Sequence, residues 1–327
     1  MNSTDRLARQ AVTVLEIEDA IEAGAGLESL SVSAVQLQTV QLKARRIILR
    51  AGTTTAIYQS CNASLRSRTS FDSGQVAYVT FGSQARGTVN GIPVRPGLIL
   101  AVAAETEVCF VVQDGWESMT FLMPPDDIIG HLSARGRDGE CHIPQQVEIL
   151  EADRGAAEQL FTWGQQLAET AASQVALFNL QQDELAAVET EVIERLLATI
   201  GKASVFKPSR SDQTRQRRSQ IVKAAEEYAL SRNGADVYVT DLCRVTGVSE
   251  RALEYAFKEV VGMTPMAFLT RLRLHRVRES LLEANPKSTT VASEALRWGF
   301  WHFGEFAQAY KNCFGELPSD TLLRTGQ

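Results

Sequence analysis

The sequence predicts an α+β protein in two parts, an antiparallel β domain followed by a helical one. Three observations carry this. Between Leu30 and about Ile129, short apolar runs recur with turn signals between them. From Asp153 to Ile200 the apolar spacing becomes helical. From Thr240 to Leu323, one layout of two short helices occurs twice. At 327 residues, with 44% apolar and 22% charged residues, the chain is long enough for two soluble domains with full cores.

Taken in order, residues 1–28 alternate weakly between apolar and acidic and carry no firm element. Met1–Gln10 is polar, so no signal peptide is expected, and no apolar run reaches the length of a membrane span. Strands are expected at 32–42, leading into Ile47-Ile48-Leu49, then at 53–58, 75–81, 98–103, 108–112 and 119–122. Asp72-Ser73-Gly74, Asn90-Gly91, Pro96-Gly97 and Asp114-Gly115 mark the turns between them. Many short strands at this spacing argue for an antiparallel barrel or sandwich. Two helices follow. The first carries Ala156, Leu160, Trp163 and Leu167, the second Leu185, Val188, Val192, Ile193, Leu196 and Leu197 at heptad-like steps. The polar stretch 201–218 reads as an interdomain linker, with the basic run Arg215-Gln216-Arg217-Arg218 at its end.

In the first helix pair, Thr240 and Asp241 begin a short helix, Gly247-Val248-Ser249 turns the chain, and Ser249 can cap a second helix to about Val260. Leu253, Ala256, Phe257 and Val260 share one face of that helix, and Glu250, Arg251, Glu254, Tyr255 and Lys258 the other. The second pair has Val291, Ala292, Ala295 and Leu296, a turn at Gly299-Phe300-Trp301, and the stripe Phe303, Phe306, Tyr310 and Cys313. Each unit closes on a glycine with a proline three residues later, Gly262 to Pro265 and Gly315 to Pro318. Pro265 opens a helix, at the first position proline tolerates, that runs through Arg271, Arg273, His275, Arg276 and Arg278 to Leu281-Leu282. An apolar seam beneath a polar face is what a helix-turn-helix requires.

This stretch resembles the DNA-binding domain of the AraC/XylS family of bacterial transcription regulators. Leu242, Gly247-Val248-Ser249, Leu253, Phe257-Lys258, Gly262-x-Thr264-Pro265, Arg273-Leu274, Leu281-Leu282, Gly299-Phe300, Phe306 and Phe314-Gly315-x-x-Pro318 carry the resemblance. It implies a cytoplasmic regulator, an activator that binds duplex promoter DNA beside RNA polymerase. It also implies a cupin-like β-barrel that senses a small-molecule effector, and two helices that pair subunits into a homodimer. The domain division is then 1–205 for the effector-sensing barrel, with dimerisation helices at about 152–200, a linker at 206–217, and 218–327 for the DNA-binding domain. The stripe from Leu185 to Leu197 is the expected dimer seam.

Charge fits one nucleic-acid-binding end: residues 215–327 carry 16 Lys and Arg against 13 Asp and Glu, while the preceding part is acidic. The candidate DNA-binding residues are Glu250, Arg251, Glu254, Tyr255 and Lys258 in the first unit, and Trp301, His302, Gly304, Glu305, Gln308 and Lys311 in the second. Arg251 is the best single candidate for reading a base, because arginine donates two bonds to guanine. Trp301 stands where a small capping residue is usual, and no arginine lies on the second face, so the second unit is expected to specify less. Phe303 is assigned to core packing through its spacing from Phe306.

Metal-binding cupins use histidines, yet His131, His142, His275 and His302 all lie outside the strands expected between Leu30 and Leu122. No metal or other cofactor is expected, and no catalytic residues, since no nucleophile motif or phosphate loop is present. The five cysteines, 61, 109, 141, 243 and 313, are odd in number and far apart, and read as reduced thiols. Arg45, Arg46, Arg66, Arg68, Arg86 and Arg95 are taken as surface residues by default, one or two of them free to pair an anionic effector. Two other readings stay open: a constitutive DNA-binding regulator controlled by a protein partner, and a barrel enzyme with a DNA-targeting domain.

Overall fold

The computed structural model describes residues 10–72, 74–137, 143–178, 182–232, 237–284 and 289–324. Cys141, His142 and Ser73 of the expected Asp72-Ser73-Gly74 turn fall outside them. The N-terminal half contains strands β1 (Val12–Ile17), β2 (Leu30–Gln36), β3 (Ala44–Ala51), β4 (Thr54–Cys61), β5 (Leu65–Phe71), β6 (Val76–Phe81), β7 (Gly87–Val89), β8 (Ile92–Pro93), β9 (Leu98–Val102), β10 (Glu107–Val112) and β11 (Trp116–Met123). Helix α1 (Pro125–Ser133), strand β12 (Glu148–Glu151), helices α2 (Arg154–Ser173), α3 (Val175–Phe178) and α4 (Gln182–Ile200), and strand β13 (Ser204–Val205) complete it.

The antiparallel strands are arranged as two facing sheets and do not close into one barrel. The larger runs β1-β3-β4-β11-β6-β9-β12-β13, the smaller β2-β5-β10-β7-β8. Both faces of the larger sheet are covered. Ile47, Leu49, Tyr78, Met119 and Phe121 face the helices, while Ile48, Ile57, Val79 and Leu100 face the smaller sheet. With two covered faces, a strand such as β6 is buried along its whole length and apolar but for Thr80.

The stripe expected to be a dimer seam serves this sheet. Val192, Ile193, Leu196, Leu197 and Ile200 are buried in the same cluster as Ile47 and Phe121, and Leu185 and Val188 pack at its margin. The apolar spacing of α4 is legible in the sequence, but its partner is intramolecular.

The segment expected to be a linker is helical from Arg210 onward: α5 spans Arg210–Ser231. Ser209 caps it, the serine hydroxyl accepting from the Asp212 N–H while the Asp212 carboxylate accepts from the Ser209 N–H. This reciprocal box satisfies amides that would otherwise be orphaned and offsets the polar composition. There follow α6 (Val239–Thr246), α7 (Glu250–Val260), α8 (Pro265–Glu283), α9 (Val291–Arg297), α10 (Phe303–Phe314) and α11 (Pro318–Arg324).

The smaller sheet has two different faces. On β5, Leu65, Ser67, Thr69 and Phe71 point between the sheets and line a cavity. Arg66 and Arg68 point the other way, onto α5. Arg66 Nε donates to Glu226 Oε2 at 2.9 Å, with the two side chains 0% and 4% exposed. Arg68 bonds Glu107 at 2.8 Å and Glu227 at 3.0 Å, and Lys223 reaches Glu107 at 2.8 Å. Burial raises the Glu107 pKa, but hydrogen bonds from Lys223 and Arg68 outweigh it and hold the carboxyl below its ordinary value. Val35, Leu37 and Val111 share one apolar cluster with Val222, Ala225, Leu269 and Leu272. The Asn90-Gly91 turn joins β7 to β8 and meets α5: a Cβ on Gly91, whose φ is +85°, would stand 2.5 Å from the Arg215 carbonyl oxygen.

Strand β2 is an edge, and α8 covers its end. The Gln36 N–H donates to His275 Nε2 at 3.2 Å, and Arg271 donates to the Gln36 carbonyl at 3.1 Å. Arg278, buried on α8, bonds Asp19 at 2.5 Å and Glu316 at 2.6 Å. Arg46 is also buried, bonded to the Ala23 and Ala25 carbonyls and to Gln59. The default surface assignment therefore fails for Arg46 and Arg66.

Two outcomes follow from this packing. Leu196→Ala should cost about 2–5 kcal/mol in chemical denaturation, the usual cost of such a core truncation, and leave the sedimentation coefficient unchanged. The second concerns His275, whose pKa burial pushes down to about 3, with Arg271, Arg278 and Arg276 adding to the effect and Asp19 opposing it. Between that value and 6.5 the unfolded chain binds a proton that the folded one does not. Stability from this group is complete above about pH 6.5 and declines as pH falls toward 3. The stability difference between wild type and His275→Gln should fall by about 1.4 kcal/mol per pH unit between about pH 6 and 4.

Candidate nucleic-acid interface

Helix α8 is the shared beam of both helix pairs. Its first half sends Phe268, Leu269 and Leu272 into a cluster with Leu242, Leu253, Ala256 and Phe257. Its second half sends Leu274, Val277 and Leu281 into a cluster with Ala295, Phe306, Tyr310 and Cys313. Thr264 Oγ1 caps it by accepting from the Ala267 N–H at 3.3 Å, and Pro265 occupies the first turn. Its basic residues are engaged within the protein. Arg271 and Arg278 make the contacts above, Arg276 bonds Glu279 at 2.6 Å, and Arg273 lies 5.1 Å from the Phe300 ring centre.

In the first unit, α6 ends at Gly247 in the left-handed conformation, and Ser249 caps α7 by accepting from the Ala252 N–H at 3.4 Å. Leu253, Ala256 and Phe257 are fully buried beneath α7. Glu250, Arg251, Glu254, Tyr255 and Lys258 are all exposed, as the spacing predicts. Among the described residues, the Arg251 and Lys258 side chains carry no ion pair, so both charges face solvent. Tyr255, 61% exposed, lies under the Arg218 guanidinium at 4.7 Å, and Arg218 also pairs with Glu259. The basic run at the end of the expected linker thus braces α7 through Arg218.

In the second unit, Thr290 caps α9 by accepting from the Ser293 N–H at 3.1 Å. The residue before α10 is His302, not Trp301, and it makes no side-chain cap bond. Trp301, His302, Gly304, Glu305, Gln308 and Lys311 are all exposed, with Trp301 at 66%. Gln308 bonds Asn312 at 2.9 Å. Phe303 departs from its expected place: it is 45% exposed, while Phe306 and Tyr310 are buried. At the first position of α10, one turn before Phe306, it lies beyond the cluster that α8 and α9 form. The neighbouring Trp301, two residues before it, is the available signal in the sequence.

The two units therefore present different surfaces, charges of both signs with a tyrosine on α7, aromatic on the start of α10. Comparison with known proteins bears on the same segment. A family model described as "Helix-turn-helix domain" matches residues 242–324. A Rhodococcus erythropolis protein described as "Probable thc operon regulatory protein" is 40% identical over 102 residues, 31% of either chain. The "XylDLEGF operon transcriptional activator 1" of Pseudomonas putida is 36% identical over 105 residues, 32% of this chain and 30% of its own. This chain spans about a third of the length of these relatives. A solved structure of "a probable AraC family transcriptional regulator" from Rhodopseudomonas palustris is 36% identical and covers 32% of this chain and 97% of its own, with a TM-score of 0.30. Residues 242–324 are an AraC-type helix-turn-helix domain, the DNA-binding end of that family of transcription regulators.

Proposed function

We propose that the protein is a sequence-specific transcription regulator, an activator whose DNA-binding half is controlled by a small effector held in the N-terminal half. The observation that carries this reading is the pair of exposed helix faces, α7 and α10, mounted on the single rigid helix α8. Two reading helices on one beam suit successive major-groove segments on one side of a duplex. The interaction is with promoter DNA, with RNA polymerase as the further partner. The relatives named for operon regulation support this.

Arg251 reads a guanine through two hydrogen bonds, and Lys258 and Lys311 contact phosphates. Glu250, Glu254, Tyr255, His302, Glu305 and Gln308 complete the two faces, and Gly304 lets the backbone come close. Trp301 and Phe303 extend the second face with apolar surface, which suits thymine methyl groups. We read 1–205 as the sensing unit and 218–327 as the DNA-binding unit, joined by the start of α5. The effector site is the cavity of about 100 Å³ between the two sheets, lined by Leu27, Phe71, Phe110 and Trp116 with Arg46 and Gln59 at its polar end. The homodimer uses a surface other than the Leu185–Leu197 stripe, which already packs on the sheet.

Selection of bound sequences from a random pool tests the assignment. Arg251→Ala should cost about 1–3 kcal/mol and relax preference at one or two positions of one half-site. Gln308→Ala should cost less. Lys258→Ala should weaken all sequences about equally and flatten the salt dependence by roughly one unit of slope. A folded chain with no salt-sensitive binding to any duplex would overturn the reading.

A further inference from the structure

A second cavity, of about 70 Å³, lies in the seam between the smaller sheet and the DNA-binding half. β2, β5, α5 and α8 all contribute to its walls. Ser33, Arg66, Glu226, His275, Arg276 and Glu279 are its polar lining. It stands apart from the cavity between the sheets because neighbouring β5 residues point oppositely: Ser67 and Thr69 line that one, Arg66 this one.

Two of these polar groups, Arg66 and His275, are buried and incompletely bonded, while Ser33 is exposed and Arg276 and Glu279 are partly exposed. Arg66 is 1% exposed and uses Nε on Glu226, while Nη1 and Nη2 have no partner. His275 is 5% exposed, and its Nδ1 has no partner. Because Nε2 accepts from the Gln36 N–H and burial keeps the ring neutral, the ring hydrogen sits on Nδ1. The unmet groups are therefore all donors, two on one planar fork and one on an imidazole. Leaving such groups unpaired in a buried site costs free energy. Glu226 and Glu279 do not meet the need, since the first faces Nε and the second pairs with Arg276 at 2.6 Å.

We propose that this seam cavity is a binding site for a small carboxylate, its two oxygens taken by Arg66 Nη1 and Nη2 and one of them shared with His275 Nδ1. Two parallel N–H donors match a carboxylate edge better than they match one water. The volume admits about five water-sized groups, which fits a ligand of acetate size and excludes a long acyl chain. A carboxylate held there bonds β5 of one half and α8 of the other at once. Its occupancy therefore stabilises the docked arrangement of the two halves, separately from any ligand between the sheets.

The test is titration of the full-length chain with sodium acetate at constant ionic strength, chloride replacing acetate, followed by calorimetry. Acetate should saturate one site, while sodium octanoate should not compete for it. Arg66→Lys keeps a cation for Glu226 but removes the fork, and should raise the half-saturating acetate concentration about tenfold or more. If that variant does not fold, wild-type protein carrying ¹⁵N-histidine gives the answer, since acetate should shift the Nδ1–H resonance of His275 with the same midpoint as the heat. Saturation that Arg66→Lys leaves unchanged, octanoate binding as tight as acetate, or an Nδ1–H signal indifferent to acetate would each overturn the site. Absence of saturable acetate binding would overturn it as well, leaving the cavity to water alone.

Discussion

Arg66 and Glu226 join the two halves of the molecule from buried positions in the seam. Such a pair gives little net stability, because removing two charges from water costs about what their attraction returns. Breaking it is different. Loss of either partner leaves the other buried and uncompensated, at about 3–5 kcal/mol. The pair therefore acts as a specificity constraint, fixing where α5 sits on the smaller sheet. The half-exposed cluster of Arg68, Lys223, Glu107 and Glu227 surrounds it on the same sheet face.

This constraint explains what the sequence discloses and what it hides. The helix pairs are legible because caps, turn glycines and apolar spacing all act locally: Ser249, Gly247, Thr264 and Pro265 each do in the structure what their residue type requires. Strand β5 is not legible. Leu65-Arg66-Ser67-Arg68-Thr69-Ser70-Phe71 has no apolar run to mark it, since its arginines pair with carboxylates 159 and 160 residues away. Strand β1 escapes detection for a related reason, its short run being interrupted by exposed residues. The α4 stripe shows the converse. Periodicity establishes a buried face but not what buries it, and a sheet of the same chain accounts for it as well as a second subunit would.

The reading faces divide along similar lines. Exposure of Arg251, Tyr255 and Lys258 follows from their spacing opposite Leu253 and Phe257, and every candidate on α10 is exposed too. Phe303 defeats the same logic because an i, i+3 relation is necessary for a shared face but says nothing about where the neighbouring helices stop. Arg218 belongs to a stretch that reads as a polar linker, and only the folded chain brings it over Tyr255.

That placement of Arg218 has a mechanical consequence. Glu226, which anchors the smaller sheet, and Arg218, which braces α7, lie on one uninterrupted helix, separated by eight residues or about 12 Å of rise. A capped helix of this length behaves as a stiff lever, so displacement at the Glu226 end is carried to the Arg218 end. The displacement reaches Tyr255 and Glu259, the side chains of α7 that Arg218 contacts. A displacement of the sheet thus has a direct mechanical route to α7, whereas its route to α10 runs through α8 and the Arg278 contacts. Helices α7 and α10 are unequal in their mechanical coupling to the sheet as well as in their surface chemistry.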